Sequence, residues 1–91
     1  MSELTDPWTD FARELGVRML RARAEKQMSQ EQVAHAAGLA TFTYRKLEKG
    51  ESNPGTAANP RLRTLVALAE VLDVPLSDLL PVPPEGLATG R

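Results

Sequence analysis

The chain has 91 residues, 42% of them apolar, and no cysteine. That length suits one small domain with a modest core, and the missing cysteine excludes a disulfide framework, a thiolate metal site and a thiol nucleophile. The formal net charge is −1, but it is unevenly spread: residues 16–65 hold nine bases against four acids, and the segments on either side are acidic. Phosphate contacts need local positive charge, because affinity follows counterion release at the contact face. No apolar run is long enough to span a membrane, and Met1–Pro7 is polar and acidic, so neither a membrane segment nor a secretory signal is expected and the expected compartment is the cytoplasm.

In chain order, residues 1–6 are expected to be disordered. Asp6-Pro7 then predicts a helix start, with an acidic N-cap and proline at the first helical position. Trp8, Phe11, Ala12, Leu15, Met19, Ala22 and Lys26 follow at three- and four-residue steps, which predicts one long helix to about Lys26. Trp8 and Phe11 suit either core packing or a dimer interface, where aromatics are enriched. Gly16 is a weak helix position and suggests close approach by another element.

Met28 is placed to staple the next helix. Ser29 and Gln32 form an S-x-x-Q capping box. Val33, Ala34 and Ala37 then share a face, and Gly38 supplies a positive-φ stop. A second periodic run starts near Thr41, with Tyr44 and Leu47 inward and Thr41, Phe42, Arg45, Lys46 and Lys49 outward; Gly50 ends it. Two short helices across a glycine turn form the helix-turn-helix pattern. Spacing alone leaves open an ordinary helical hairpin. The single histidine, His35, faces outward with no second ligand type nearby, so no metal site is expected.

Glu51–Asn59 reads as a loop rich in Ser, Asn, Pro and Gly. Asn59-Pro60 repeats the cap-plus-proline start, and Leu62, Leu65, Val66, Ala69 and Leu72 form the expected buried stripe of a fourth helix. Arg61 and Arg63 fall in its first turn, where positive charge opposes the helix dipole; a bound phosphate would offset that penalty. Asp73-Val74-Pro75 turns the chain. Leu76, Leu79 and Leu80 make a short last helix ended by Pro81, and residues 82–91 are expected to be a flexible tail.

The words LGVRMLRARAEKQMSQEQVAHAAGL, YRKLEKG and NPRLRTLVALAEVLDVPLSDLL, between Leu15 and Leu80, resemble the phage-repressor or xenobiotic-response-element family of helix-turn-helix proteins. The resemblance implies an all-α, five-helix, lambda-repressor-like domain over residues 7–81 that binds duplex DNA, usually as a homodimer. It implies that Gln30 touches a phosphate, that Arg23 and Glu48 form an ion pair tying the first helix to the recognition helix, and that Thr41, Phe42 and Arg45 read bases. The sequence departs from the family at three positions and in one length, since the segment after Gly50, ESNPGTAANP, is longer than is usual. Ala40 stands where Ser or Thr is preferred, which makes Thr41 the alternative N-cap. Phe42 replaces a commonly polar reader, and Tyr44 an aliphatic core residue.

On that reading Arg45 suits guanine O6 and N7, and Phe42 suits a thymine methyl. Thr43, Lys46 and Lys49, with Arg61 and Arg63, suit phosphates. The expected function is a sequence-specific DNA-binding regulator, a repressor on a palindromic operator. An antitoxin or a restriction-modification controller would look the same, and a protein-interaction module using Phe42 and the long loop is the alternative from another class. No nucleophile–base pair and no glycine-rich phosphate loop is recognisable, so neither catalysis nor a cofactor is expected.

Overall fold

In a computed structural model, residues 6–88 are described, so the expectations for residues 1–5 and 89–91 lie outside them. Five helices follow in order: α1 (Pro7–Glu25), α2 (Gln30–Ala36), α3 (Thr41–Glu48), α4 (Leu62–Leu72) and α5 (Leu76–Leu79). Between α3 and α4 the chain makes two short strands, β1 (Glu51–Asn53) and β2 (Thr56–Ala57).

Asp6 occupies the N-cap of α1 with Pro7 behind it, although its side chain makes no capping hydrogen bond. Ala12, Leu15, Met19 and Ala22 are buried along the inner side of α1, while Lys26 lies past the last turn and is exposed. The helix ends on Gln27, in the left-handed region at φ 57°. The Met28 and Gln27 amides there turn back to the Arg23 and Ala24 carbonyls, satisfying groups that a helix end leaves unpaired.

The core gathers α1, α2, α3 and α4 around Met19, Val33, Tyr44, Leu68 and Leu72, all fully buried, and Leu79 closes it from α5. Gly16 explains how α1 and α3 come so close. A Cβ there would sit 2.6 Å from the Leu47 carbonyl oxygen and would also strike the Glu48 backbone. Gly50 repeats the contact from the other side at φ 79°, where a Cβ would lie 2.8 Å from the Arg13 Cα. The carboxyl end of α3 is thus pressed against α1 backbone to backbone, which only glycine permits.

Three expectations are corrected. In place of the plain loop expected over residues 51–59, residues 51–57 form an antiparallel hairpin, with Glu51 opposite Ala57 and Asn53 opposite Thr56. Pro54-Gly55, the glycine at φ 80°, supplies the tight turn. The fold class stays helical with this small ribbon added. Second, α4 begins two residues after Pro60, and the extended Arg61 (φ −66°, ψ 147°), not Asn59, takes the N-cap position, so only Arg63 of the two arginines lies in the first turn. Third, the buried side of α4 is Leu65, Leu68, Ala69 and Leu72, whereas Leu62 and Val66 are 68% and 51% exposed. Both sets fit helical spacing, and packing against α2, α5 and α1 selects the second.

Trp8 and Phe11 stack with centroids 4.9 Å apart, and the Trp8 indole N–H donates to the Ala58 carbonyl at 2.9 Å. The amide of Ala58 in turn donates to Gly50 O at 2.8 Å. The hairpin is therefore tied to both α1 and the end of α3. Further along α1, Arg18 Nη1 donates to the carbonyls of Asp78 and Leu80 and caps α5. Beyond it Pro81 is buried and Pro84 half-buried, and residues 82–88 form neither helix nor strand.

Candidate nucleic-acid interface

The two motif helices are set by local chemistry. Ser29 Oγ accepts from the Gln32 amide at 3.0 Å, and Gln32 Oε1 accepts from the Ser29 amide at 2.8 Å, completing the capping box. At the far end of α2, Gly38 adopts φ 74°. The Leu39 amide donates to Ala34 O, and the Gly38 amide to His35 O, which is the paired closure of a Schellman motif. The turn into α3 is thereby built before α3 begins. Ala40 takes the N-cap of α3 with no side-chain hydrogen bond. Thr41 therefore does not cap; it is the first helical residue, half-exposed.

The inner face of α3 buries Tyr44 and Leu47 and, less commonly, Glu48. The Glu48 side chain is only 4% exposed and meets Arg23, itself 19% exposed. Arg23 Nε donates to Oε2 at 2.6 Å and Nη2 to Oε1 at 3.0 Å, a two-point fork, while Nη1 donates to the Met28 carbonyl at 3.1 Å. Gln30 Nε2 adds a third bond to the carboxylate, 2.8 Å from Oε1. Burial is the largest influence on Glu48 and pushes its pKa up, but the hydrogen bonds from Arg23 and Gln30 outweigh it and hold the carboxyl below its ordinary value. The Tyr44 hydroxyl, fully buried, makes no hydrogen bond to another described residue. Burial above all, with the neighbouring Glu48 carboxylate adding to it, pushes its ionisation well above the ordinary tyrosine value.

The outer face carries Phe42, Thr43, Arg45 and Lys49, all exposed, with Thr41 and Lys46 half-exposed. Phe42 is 69% exposed, and the Lys46 ammonium stands 4.5 Å from its ring centroid, over one face. Arg45 Nε donates to Gln30 Oε1 at 3.2 Å, and its Nη2 to Glu31 Oε2 at 3.1 Å. Gln30 thus touches both the buried carboxylate and an outward arginine. Lys46 and Thr43 also line a groove shared with Ser52, Asn59, Pro60 and Arg61. Arg61 and Arg63 are exposed at the start of α4.

The structure thus gathers Thr41, Phe42, Thr43, Arg45, Lys46, Lys49 and Gln30 on one surface, with Arg61 at its edge. Sequence reasoning passed over Glu31. No local signal marks it, because its partner lies fourteen residues on, across the turn.

A helix-turn-helix family model (HTH_3) matches residues 19–79. The chain belongs to the helix-turn-helix family. Two solved structures are similar. One is the restriction-modification controller protein C.AhdI from Aeromonas hydrophila, at 28% identity and TM-score 0.66, over 76% of this chain and 96% of that one. The other, described as the hypothetical transcription factor NHTF from Neisseria, is 28% identical with TM-score 0.67, over 93% of this chain and 88% of that one. No curated protein matches the chain. By family and fold it is a DNA-binding transcriptional regulator of the xenobiotic-response-element type, and not an enzyme. Among the described residues no helix is long and apolar enough to cross a membrane.

Proposed function

We propose that two copies of the chain bind a palindromic operator in the cytoplasm and repress by occupying it, each laying the outer face of α3 in a major groove. Thr41, Phe42 and Arg45 contact base edges. Gln30, Thr43, Lys46, Lys49, Arg61 and Arg63 contact phosphates and set the register. The observation that carries this reading is the two-sidedness of α3: its inner face is braced through Glu48 to Arg23, while Phe42, Thr43, Arg45 and Lys49 on the outside stay exposed. Gln30 fits the phosphate role although it is already engaged, because one hydrogen of its Nε2 goes to Glu48 and the second remains. A controller of restriction-modification genes is the second reading, favoured by the likeness to C.AhdI.

Selecting bound sites from random duplexes tests the proposal. Two inverted half-sites with centres about 34 Å apart along the duplex support a two-fold pair of recognition helices. A single asymmetric site rejects it. Affinity is expected to fall steeply with salt, with a slope set by the phosphates contacted. A chain that binds no duplex even at low salt would instead be a protein-interaction module on this fold.

A further inference from the structure

Arg45 and Glu31 form an ion pair that does little for folding. Their side chains are 51% and 62% exposed, and water screens a pair in that setting so well that it adds little to stability. The pair is nevertheless the outer end of a continuous chain of hydrogen bonds. It runs from Arg23 to the buried Glu48, from Glu48 to Gln30, and from Gln30 to Arg45, with Glu31 closing on the same guanidinium. The bonds fall on one edge of that guanidinium. Nε and Nη2 make up its side edge, and Gln30 and Glu31 hold both. The end edge, one hydrogen on Nη1 and the second on Nη2, has no partner among the described residues. An open two-donor end is the fork that fits guanine O6 and N7.

We propose that Glu31 is a positioning residue for DNA specificity: with Gln30 it clamps the side edge of Arg45 so that the guanidinium presents its end edge to a guanine in the major groove. This rests on the base-reading role of Arg45 proposed above. An unclamped arginine has many rotamers and reaches phosphates as readily as bases. A clamped one has already lost that freedom, so the energy of the guanine contact is not spent on ordering the side chain. Glu31 also neutralises Arg45 locally, which weakens its attraction to the backbone of any duplex and leaves directional hydrogen bonding as its main gain. A carboxylate beside a phosphate-binding surface would otherwise be a liability, and this task accounts for it.

The test is site selection from random duplexes with the full chain and with Glu31→Ala, Glu31→Gln and Arg45→Ala, alongside melting curves. The full chain is expected to select guanine at one position of each half-site. Glu31→Ala is expected to reduce that preference on the order of tenfold, the size of a typical coupling between contacting residues. Other positions and the melting temperature stay unchanged. Glu31→Gln keeps an acceptor at the same reach and retains part of the preference. If Glu31→Ala shifts affinity equally for all sequences and keeps the full guanine preference, the clamp is wrong while the reading of Arg45 survives. If Arg45→Ala leaves every position's preference intact, both fall together.

Discussion

The two faces of α3 each carry an arginine–glutamate pair, and the pairs differ in nearly everything but chemistry. The inner pair, Arg23 with Glu48, is forked, 2.6 and 3.0 Å long, and its carboxylate is almost wholly out of solvent. The outer pair, Arg45 with Glu31, makes one 3.1 Å bond in the open. An ion removed from water must keep its partner, because the stranded charge is costly; an ion left in water loses little when its partner goes. The same residue types therefore serve stability on one side of the helix and, in the proposed reading, recognition on the other. Gln30 joins the two, so the proposed recognition surface is tied to the scaffold through side chains as well as through the helix backbone.

The contrast can be broken most forcefully at its buried end. Arg23→Ala leaves the Glu48 carboxylate without its main donor and is expected to cost about 3 kcal/mol or more by denaturant unfolding; an unchanged midpoint would show the inner pair to be no more important than a surface one. Next comes Gly16→Ala, which drives a methyl into the Leu47 and Glu48 carbonyls. It is expected to cost about 1–3 kcal/mol as overpacking, read as a drop in melting temperature. The acid limb is a gentler probe. Because the folded carboxyl of Glu48 is held below its ordinary value, the unfolded chain binds the proton first as pH falls. That stabilisation is present above the ordinary carboxylate range near pH 4 and is lost as pH drops through the folded value. Glu48→Gln should flatten this part of the stability–pH curve, and a curve of unchanged slope would contradict the assignment. The smallest effect on folding belongs to Arg45→Ala, expected within about 1 kcal/mol of the parent. Its consequence should appear in binding, as lost preference at one base pair.

Much of the motif was legible because its devices are local. Ser29 and Gln32 are three residues apart, and Gly38 and Gly50 stand where positive φ is required, so both ends of α2 and the end of α3 could be read without a partner. The inward turn of Tyr44 and Leu47 followed from their three-residue spacing. The hairpin was not legible: three residues and two residues are too short to show a strand period, Thr56 is the only strand-favouring type among them, and the contacts that hold Ala58 to Gly50 and Trp8 are long-range or depend on the fold. Nor was the phase of α4, where Leu62-Arg-Thr-Leu-Val-Ala-Leu-Ala is apolar on more than one side and two stripes satisfy the same period.

What this sequence determined alone is the set of elements whose causes lie within a turn or two of chain: the long first helix, the capped second helix, the glycine stop and the third helix with its polar outer side. Only the tertiary structure decided which side of α4 faces inward, that Gly16 admits the end of α3, that residues 51–53 and 56–57 pair as strands, and that Glu31 reaches Arg45. The reason is range. Capping and helical periodicity act between near neighbours, whereas burial, close backbone approach and pairing across a turn exist only after separate segments have met.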